Sequence, residues 1–247
     1  SLGNAYNITV ANCTFSECTL LYYYLNPSRI TIIDTRFDNL YSPGPVISTW
    51  WNYGINLLNI TINTSASSAI SGSSFNLILA NSTIIANASG ATGIGWGFGS
   101  GITIQDNKFK TSGTSIYSSG GTLTSYEGAR VLNNYIESYA SNGCVYHLGD
   151  NDIYRNIVIS GNQFNCSTIR FATDNAIREL NFTDNTINNG SLILGDYLQG
   201  TIFITNNSFN HQSTSSLGLT GSTLSNSLIA NNNLNNYTIA LSISGSV

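Results

Sequence analysis

The sequence predicts an all-β solenoid, a stack of about ten coils of 22–28 residues forming one domain over residues 1–247. Three observations carry that expectation. An eight-residue phrase, seen in Ile102-Thr103-Ile104-Gln105-Asp106-Asn107-Lys108-Phe109, recurs from Ile8 to Leu234. Its apolar residues are spaced two apart, which is the period of a strand with one face inward. Only 8% of residues are charged while 41% are hydrophobic and 11% aromatic. That supplies a core but few of the Ala, Glu, Lys and Arg residues that long helices favour.

The coil starts fall at Ile8, Ile30, Ile55, Leu77, Ile102, Ala129, Ile157, Leu180, Ile202 and Ser227. Two residues on stand Val10, Ile32, Leu57, Leu79, Ile104, Val131, Ile159, Phe182, Ile204 and Ile229. Four residues after each start come Asn12, Asp34, Asn59, Asn81, Asp106, Asn133, Gly161, Asp184, Asn206 and Asn231. All are residues that tolerate left-handed backbone angles, so a sharp turn is expected there. The next position is asparagine in the last six coils, and Cys13, Thr35, Ile60 or Ser82 earlier. Seven residues after each start the chain is apolar again: Phe15, Phe37, Ile62, Ile84, Phe109, Ile136, Phe164, Ile187, Phe209 and Leu234. A variable third segment, with Leu20, Val46-Ile47, Ile116, Val145, Ile169, Leu192 and Leu217-Leu219, closes each coil. One coil cannot bury its own inner face, but stacked coils bury a continuous core.

This register resembles the right-handed parallel β-helix of the pectin-lyase-like superfamily, over nearly the whole chain. The resemblance implies a single-stranded right-handed β-helix in which a turn asparagine stacks from coil to coil. Those residues here are Asn107, Asn134, Asn162, Asn185, Asn207 and Asn232, so the amide ladder should weaken or vanish in the N-terminal half. The family's catalytic signatures are missing: the chain has no Asp-Asp pair, no Gly-His-Gly, no Arg-Ile-Lys and no aspartate triple on adjacent coils. Asp34, Asp106 and Asp184 sit three coils apart, about 14 Å, too far to share a metal or flank one bond. They read as turn formers.

Four cysteines without a CxxC pair, with two histidines, argue against zinc. Two disulfides, Cys13–Cys18 across one turn and Cys144–Cys166 on adjacent coils, are the expectation, and with them an oxidising setting. Glycosylation sequons stand at Asn7, Asn12, Asn59, Asn63, Asn81, Asn87, Asn165, Asn181, Asn189, Asn206 and Asn236. In a chain this rich in Asn, Ser and Thr, chance yields nearly as many.

A net charge of -4 with eight Lys and Arg excludes a basic nucleic-acid face, and no apolar run reaches the length of a membrane span. No metal or cofactor is expected. Ionisable residues gather on adjacent coils only over 147–196: His147, Asp150, Asp152, Arg155, Arg170, Asp174, Arg178, Glu179 and Asp196. They read either as a salt-bridged loop surface or as the site of a polysaccharide lyase or glycosidase. Tyr22, Tyr24, Trp50, Trp51 and Trp96 occupy the third segment and suit stacking on sugar rings or protein contacts. The leading expectation is a non-catalytic extracellular, cell-surface or virion-surface protein, such as an envelope or filament component, an adhesin or a receptor-binding spike. Its loops would meet carbohydrate or a surface receptor. Its open ends would be covered by neighbouring subunits or flanking domains.

Overall fold

The computed structural model describes residues 7–18, 20–22, 29–39, 44–96, 100–119, 125–140, 143–148, 153–171, 176–194, 198–211, 217–221, 226–236 and 239–243. Within them every regular element is a strand, and the strand registers reproduce the phrase. The second apolar residue of each coil is the parallel Cα partner of the same residue in the next, from Val10–Ile32 through Ile104–Val131 to Ile204–Ile229. The seventh-position residues pair likewise from Phe15–Phe37 to Phe209–Leu234, forming a ten-stranded parallel sheet. The third segment makes an equally regular column, from Leu20–Ile47 through Ile116–Val145 to Leu219–Leu241. The protein is therefore a parallel β-helix.

The corner between first and second strands is set by backbone chirality. All ten residues of the turn column have positive φ, from 49° at Asp34 to 69° at Gly161. Asparagine and aspartate accept that conformation at low cost, which is why the column holds little else. Gly161 has a local reason as well: a Cβ there would meet Asn133 Oδ1 at 2.3 Å.

Past this corner the asparagine ladder is built in full. Each Nδ2 donates to the Oδ1 one coil on, at 3.0, 3.0, 3.0, 3.1 and 2.9 Å from Asn107 to Asn232. Each of those oxygens also accepts the backbone N–H of the preceding asparagine at 2.9–3.0 Å. The Nδ2 groups bond in addition to a carbonyl of the coil before, such as Asn162 to Val131 O at 2.8 Å. Thus carboxamides that are 1–3% exposed from Asn107 to Asn207 are fully engaged. Toward the N-terminus the ladder ends at Ser82, whose N–H donates to Asn107 Oδ1 at 2.9 Å. Ser82 and Thr35 turn their hydroxyls to carbonyls two residues back, at 2.8 Å each.

Inside, the columns form one continuous core. Every seventh-position residue from Phe37 to Phe209 is at most 1% exposed. Burying such a side chain contributes about 1.5–3 kcal/mol. Phe15 stacks on Phe37 with ring centroids 5.1 Å apart, and Phe164 on Phe182 at 6.3 Å. In the outermost coils Ile8, Val10, Phe15, Ile229 and Leu234 are only partly buried.

Cys144 and Cys166 are bridged, with Cα atoms 5.7 Å apart on neighbouring coils. The expected Cys13–Cys18 bridge is absent, and both thiols are free. The strand Thr14–Ser16 lies between them. That three-residue strand alone spans about 10 Å, whereas a disulfide needs Cα atoms within about 7 Å. Each thiol donates instead to a carbonyl two residues back, Cys13 to Ala11 O and Cys18 to Ser16 O. The five-residue spacing suggests a turn, but most of it is strand.

Two outcomes follow from this packing. Iodoacetamide applied without reductant labels Cys18 and leaves Cys144 and Cys166 unlabelled until a reductant is added; peptide mass mapping reads both. Asn162→Ala leaves several buried partners unsatisfied and lowers stability by about 2–4 kcal/mol. Asn188→Ala, on the outer face, changes it by less than about 0.5 kcal/mol in chemical denaturation.

Candidate functional site

Strand alternation that buries Ile157, Ile159 and Leu180 turns the residues between them outward. On four successive coils this outer column reads Arg130, Val158, Asn181 and Phe203, each the Cα partner of the next. These residues line a groove of about 660 Å³, together with Gly128, Asn156, Ile157, Glu179, Leu180 and Thr201. Arg130, Asn156, Glu179, Asn181 and Phe203 are exposed, with Phe203 at 41%.

The backbone along one edge of the groove departs from the usual coil pattern. The residue before each coil start has positive φ at Asn7, Gly54, Asn76, Gly101, Gly128, Asn156 and Asn226. That column breaks at Arg29 on the second coil and again at Glu179 and Thr201, which lie within the strands Ala176–Thr183 and Leu198–Thr205, with one bulge between Ile177 and Glu179. Gly200 makes the close approach possible, since a Cβ there would meet Arg178 O at 2.1 Å. Glu179 and Thr201 are Cα partners along one edge of the groove.

Arg130 and Glu179 supply opposite charges to the groove, and no ion pair joins them or engages Arg155 or Arg178 among the described residues. Arg155 and Arg178 precede the lining residues Asn156 and Glu179 in the chain. They follow the Cα partners Tyr154 and Ile177, and so occupy corresponding places on neighbouring coils. Glu179 is the one carboxylate among the lining residues.

Of the charged residues singled out from the sequence, Asp150, Asp152, Asp174 and Asp196 lie outside the described residues, as does Tyr24. The backbones of Tyr22, Trp50, Trp51, Trp96 and His147 lie in strands, and their side chains lie outside the described part. The groove residues Arg130, Asn156, Val158, Asn181, Thr201 and Phe203 were not singled out as a binding site. The Asn/Gly column before the coil starts is interrupted at Arg29, Glu179 and Thr201, so only its two consecutive breaks coincide with the groove. The sequons at Asn7, Asn12, Asn59, Asn81, Asn87, Asn181, Asn206 and Asn236 are exposed, and Asn63, Asn165 and Asn189 are half-buried.

A second polar cluster lies on the outer face of the ten-stranded sheet. Glu137 accepts hydrogen bonds from the hydroxyls of Tyr139 and Tyr135, the latter at 3.4 Å. Lys108, one coil away, sits 5.9 Å from the Tyr135 ring centroid. The hydrogen bond to Glu137, followed by desolvation and the carboxylate's charge, raises the Tyr139 pKa above the usual tyrosine value. No group of three or more His, Cys, Asp or Glu that could hold a metal occurs among the described residues, and no helix there is long and apolar enough to cross a membrane.

No family model matches this chain, and no curated protein does. Solved β-helices do. The crystal structure of PfbA, a surface adhesin of Streptococcus pneumoniae, superposes with a TM-score of 0.60 at 15% identity, over 95% of this chain and 71% of that one. A further structure of the Streptococcus pneumoniae surface protein and adhesin PfbA gives 0.52 at 12% identity, over 98% and 78%. At such identities the likeness is one of fold.

Because folding raises the Tyr139 pKa, its contribution to stability is present below the ordinary tyrosine pKa and is lost as pH rises through the shifted value. Glu137→Ala removes both the hydrogen bond and the carboxylate's charge, so Tyr139 then ionises at lower pH. The difference in ultraviolet titration between Tyr139→Phe and its parent, in each background, measures this.

Proposed function

We propose that this chain is a non-catalytic binding module displayed on a cell or particle surface, and that its groove holds a segment of an acidic polysaccharide. The observation that carries the reading is Arg130, a guanidinium without an ion-pair partner among the described residues, in a groove that also offers an apolar ring and amides. An exposed cation in one column with Val158 and Phe203 suits a ligand whose rings stack and whose acid groups pair with arginine. Asn156 and Asn181 provide the donors and acceptors that sugar hydroxyls require.

Three observations support binding over turnover. Glycoside hydrolysis uses two carboxylates at a fixed separation, and the described lining holds one, Glu179. The sequence lacks the hydrolase and lyase signatures of the family its repeat resembles. The β-helices it superposes on are surface adhesins. The Cys144–Cys166 disulfide fits an oxidising, extracellular setting.

Binding is tested by affinity electrophoresis through polygalacturonate or dextran sulfate, with neutral dextran as control. Retardation is expected in the anionic gels only, and it weakens with added salt. Arg130→Ala removes a charge-assisted contact worth about 1.5–3 kcal/mol, or about ten- to a hundredfold in affinity. Equal retardation in neutral dextran, or no effect of Arg130→Ala, sinks the reading. Release of unsaturated products or new reducing ends would make the groove catalytic instead.

A further inference from the structure

We infer that Asn181 is a modification site whose N-linked glycan closes the groove, making ligand access dependent on glycosylation. This rests on the groove being the binding site proposed above. Among the residues that line the groove, Asn181 alone begins a sequon, Asn181-Phe182-Thr183. Strand alternation decides what that sequon presents. Phe182 is fully buried in the core, so Asn181 faces outward, where it is exposed. Its Cα partners on the two neighbouring coils are Val158 and Phe203, themselves lining residues. A sugar attached at Asn181 Nδ2 therefore starts within the outer column and lies between the ring of Phe203 and the cation of Arg130.

Other sequons differ in placement. Asn12, Asn59, Asn81 and Asn206 belong to the left-handed turn column at the coil corner. Glycans on those residues would decorate the ridge and leave the groove free. Asn59 is also engaged, donating to Asp34 Oδ1 at 2.6 Å. A core N-glycan of several hexose rings is comparable in volume to a 660 Å³ groove, so one chain at Asn181 suffices to fill it. Glycosylation would act here by steric occupancy, and the same Arg130 and Phe203 that serve an exogenous sugar would face the attached one.

The test compares three proteins: the native chain from a host without N-glycosylation, the native chain from an N-glycosylating host, and Thr183→Ala from the latter. Thr183 completes the sequon but does not line the groove; its hydroxyl donates to Ser160 Oγ at 3.1 Å. Peptide mapping is expected to find a glycan at Asn181 in the second protein only. Phenylglyoxal labelling, read residue by residue, is expected to reach Arg130 in the first and third proteins and to be suppressed in the second, with exposed Arg29 labelled equally in all three. Polygalacturonate retardation should fall by at least about tenfold in the second alone, as expected of a filled pocket. An unmodified Asn181 beside occupied ridge sequons overturns the inference, as does full labelling of Arg130 in the glycosylated protein. Absence of retardation in the unglycosylated protein, with Arg130 still shielded by the glycan, counts against polysaccharide binding and leaves the closure of the groove supported. Should Thr183→Ala fail to fold, the first two proteins decide the matter by the same labelling.

Discussion

The asparagine ladder is the constraint on which the C-terminal coils depend. Each coil must turn sharply after its first strand, and the turn leaves an N–H and neighbouring carbonyls out of the sheet pairing. Burial without partners would cost each such group about 1–3 kcal/mol. One carboxamide per coil meets the whole demand, because its oxygen accepts twice and its nitrogen donates both to the next coil and to the previous one. Satisfaction at each level requires the identical residue above and below. The ladder is thus a register lock as well as a set of bonds, and a one-residue slip would break it while turning every core side chain outward.

The N-terminal coils meet the same demand with hydroxyl side chains. Ser82 and Thr35 donate their hydroxyls to carbonyls two residues back, Ser82 Oγ also accepts the Ile60 N–H of the preceding coil at 3.1 Å, and Ile60 contributes no side-chain bond. Register there is held by the Phe37, Ile62 and Ile84 column and by long strands, Ile47–Leu58 and Ser68–Ala80, that run from one coil into the next. One fold is stabilised by two arrangements along its length, with the cooperative polar one confined to the half that also carries the groove and the disulfide.

Function is free to vary where the ladder and the core are not. The outward column of the first strands runs Thr31, Asn56, Ile78, Thr103, Arg130, Val158, Asn181, Phe203 and Leu228. No packing rule governs these positions, so their chemistry changes from coil to coil while the inward neighbours stay Ile, Leu, Val or Phe apart from Ala129 and Ser227. A groove of mixed character arises where consecutive members are a cation, an apolar group, an amide and a ring. The site is a property of one face of a regular rod, and its specificity comes from order along that column.

The inward columns, the turn and the ladder were legible in the chain because each repeats a local demand: strand period, left-handed backbone, buried amide. The bridge between Cys144 and Cys166 was legible for the same reason, as the two hold equivalent places on adjacent coils. Cys13 and Cys18 were misread because closeness in sequence is not closeness in space when a strand intervenes. The sequence pointed to charge in the region where the groove lies, at Arg155, Arg178 and Glu179, but not to Arg130, Val158 or Phe203, which come from coils up to three apart. By itself the sequence determined the architecture, since a repeated pattern needs only its own period to be read. The tertiary structure decided which outward residues become neighbours, because that depends on how coils of unequal length are brought into register by the pairing of their strands.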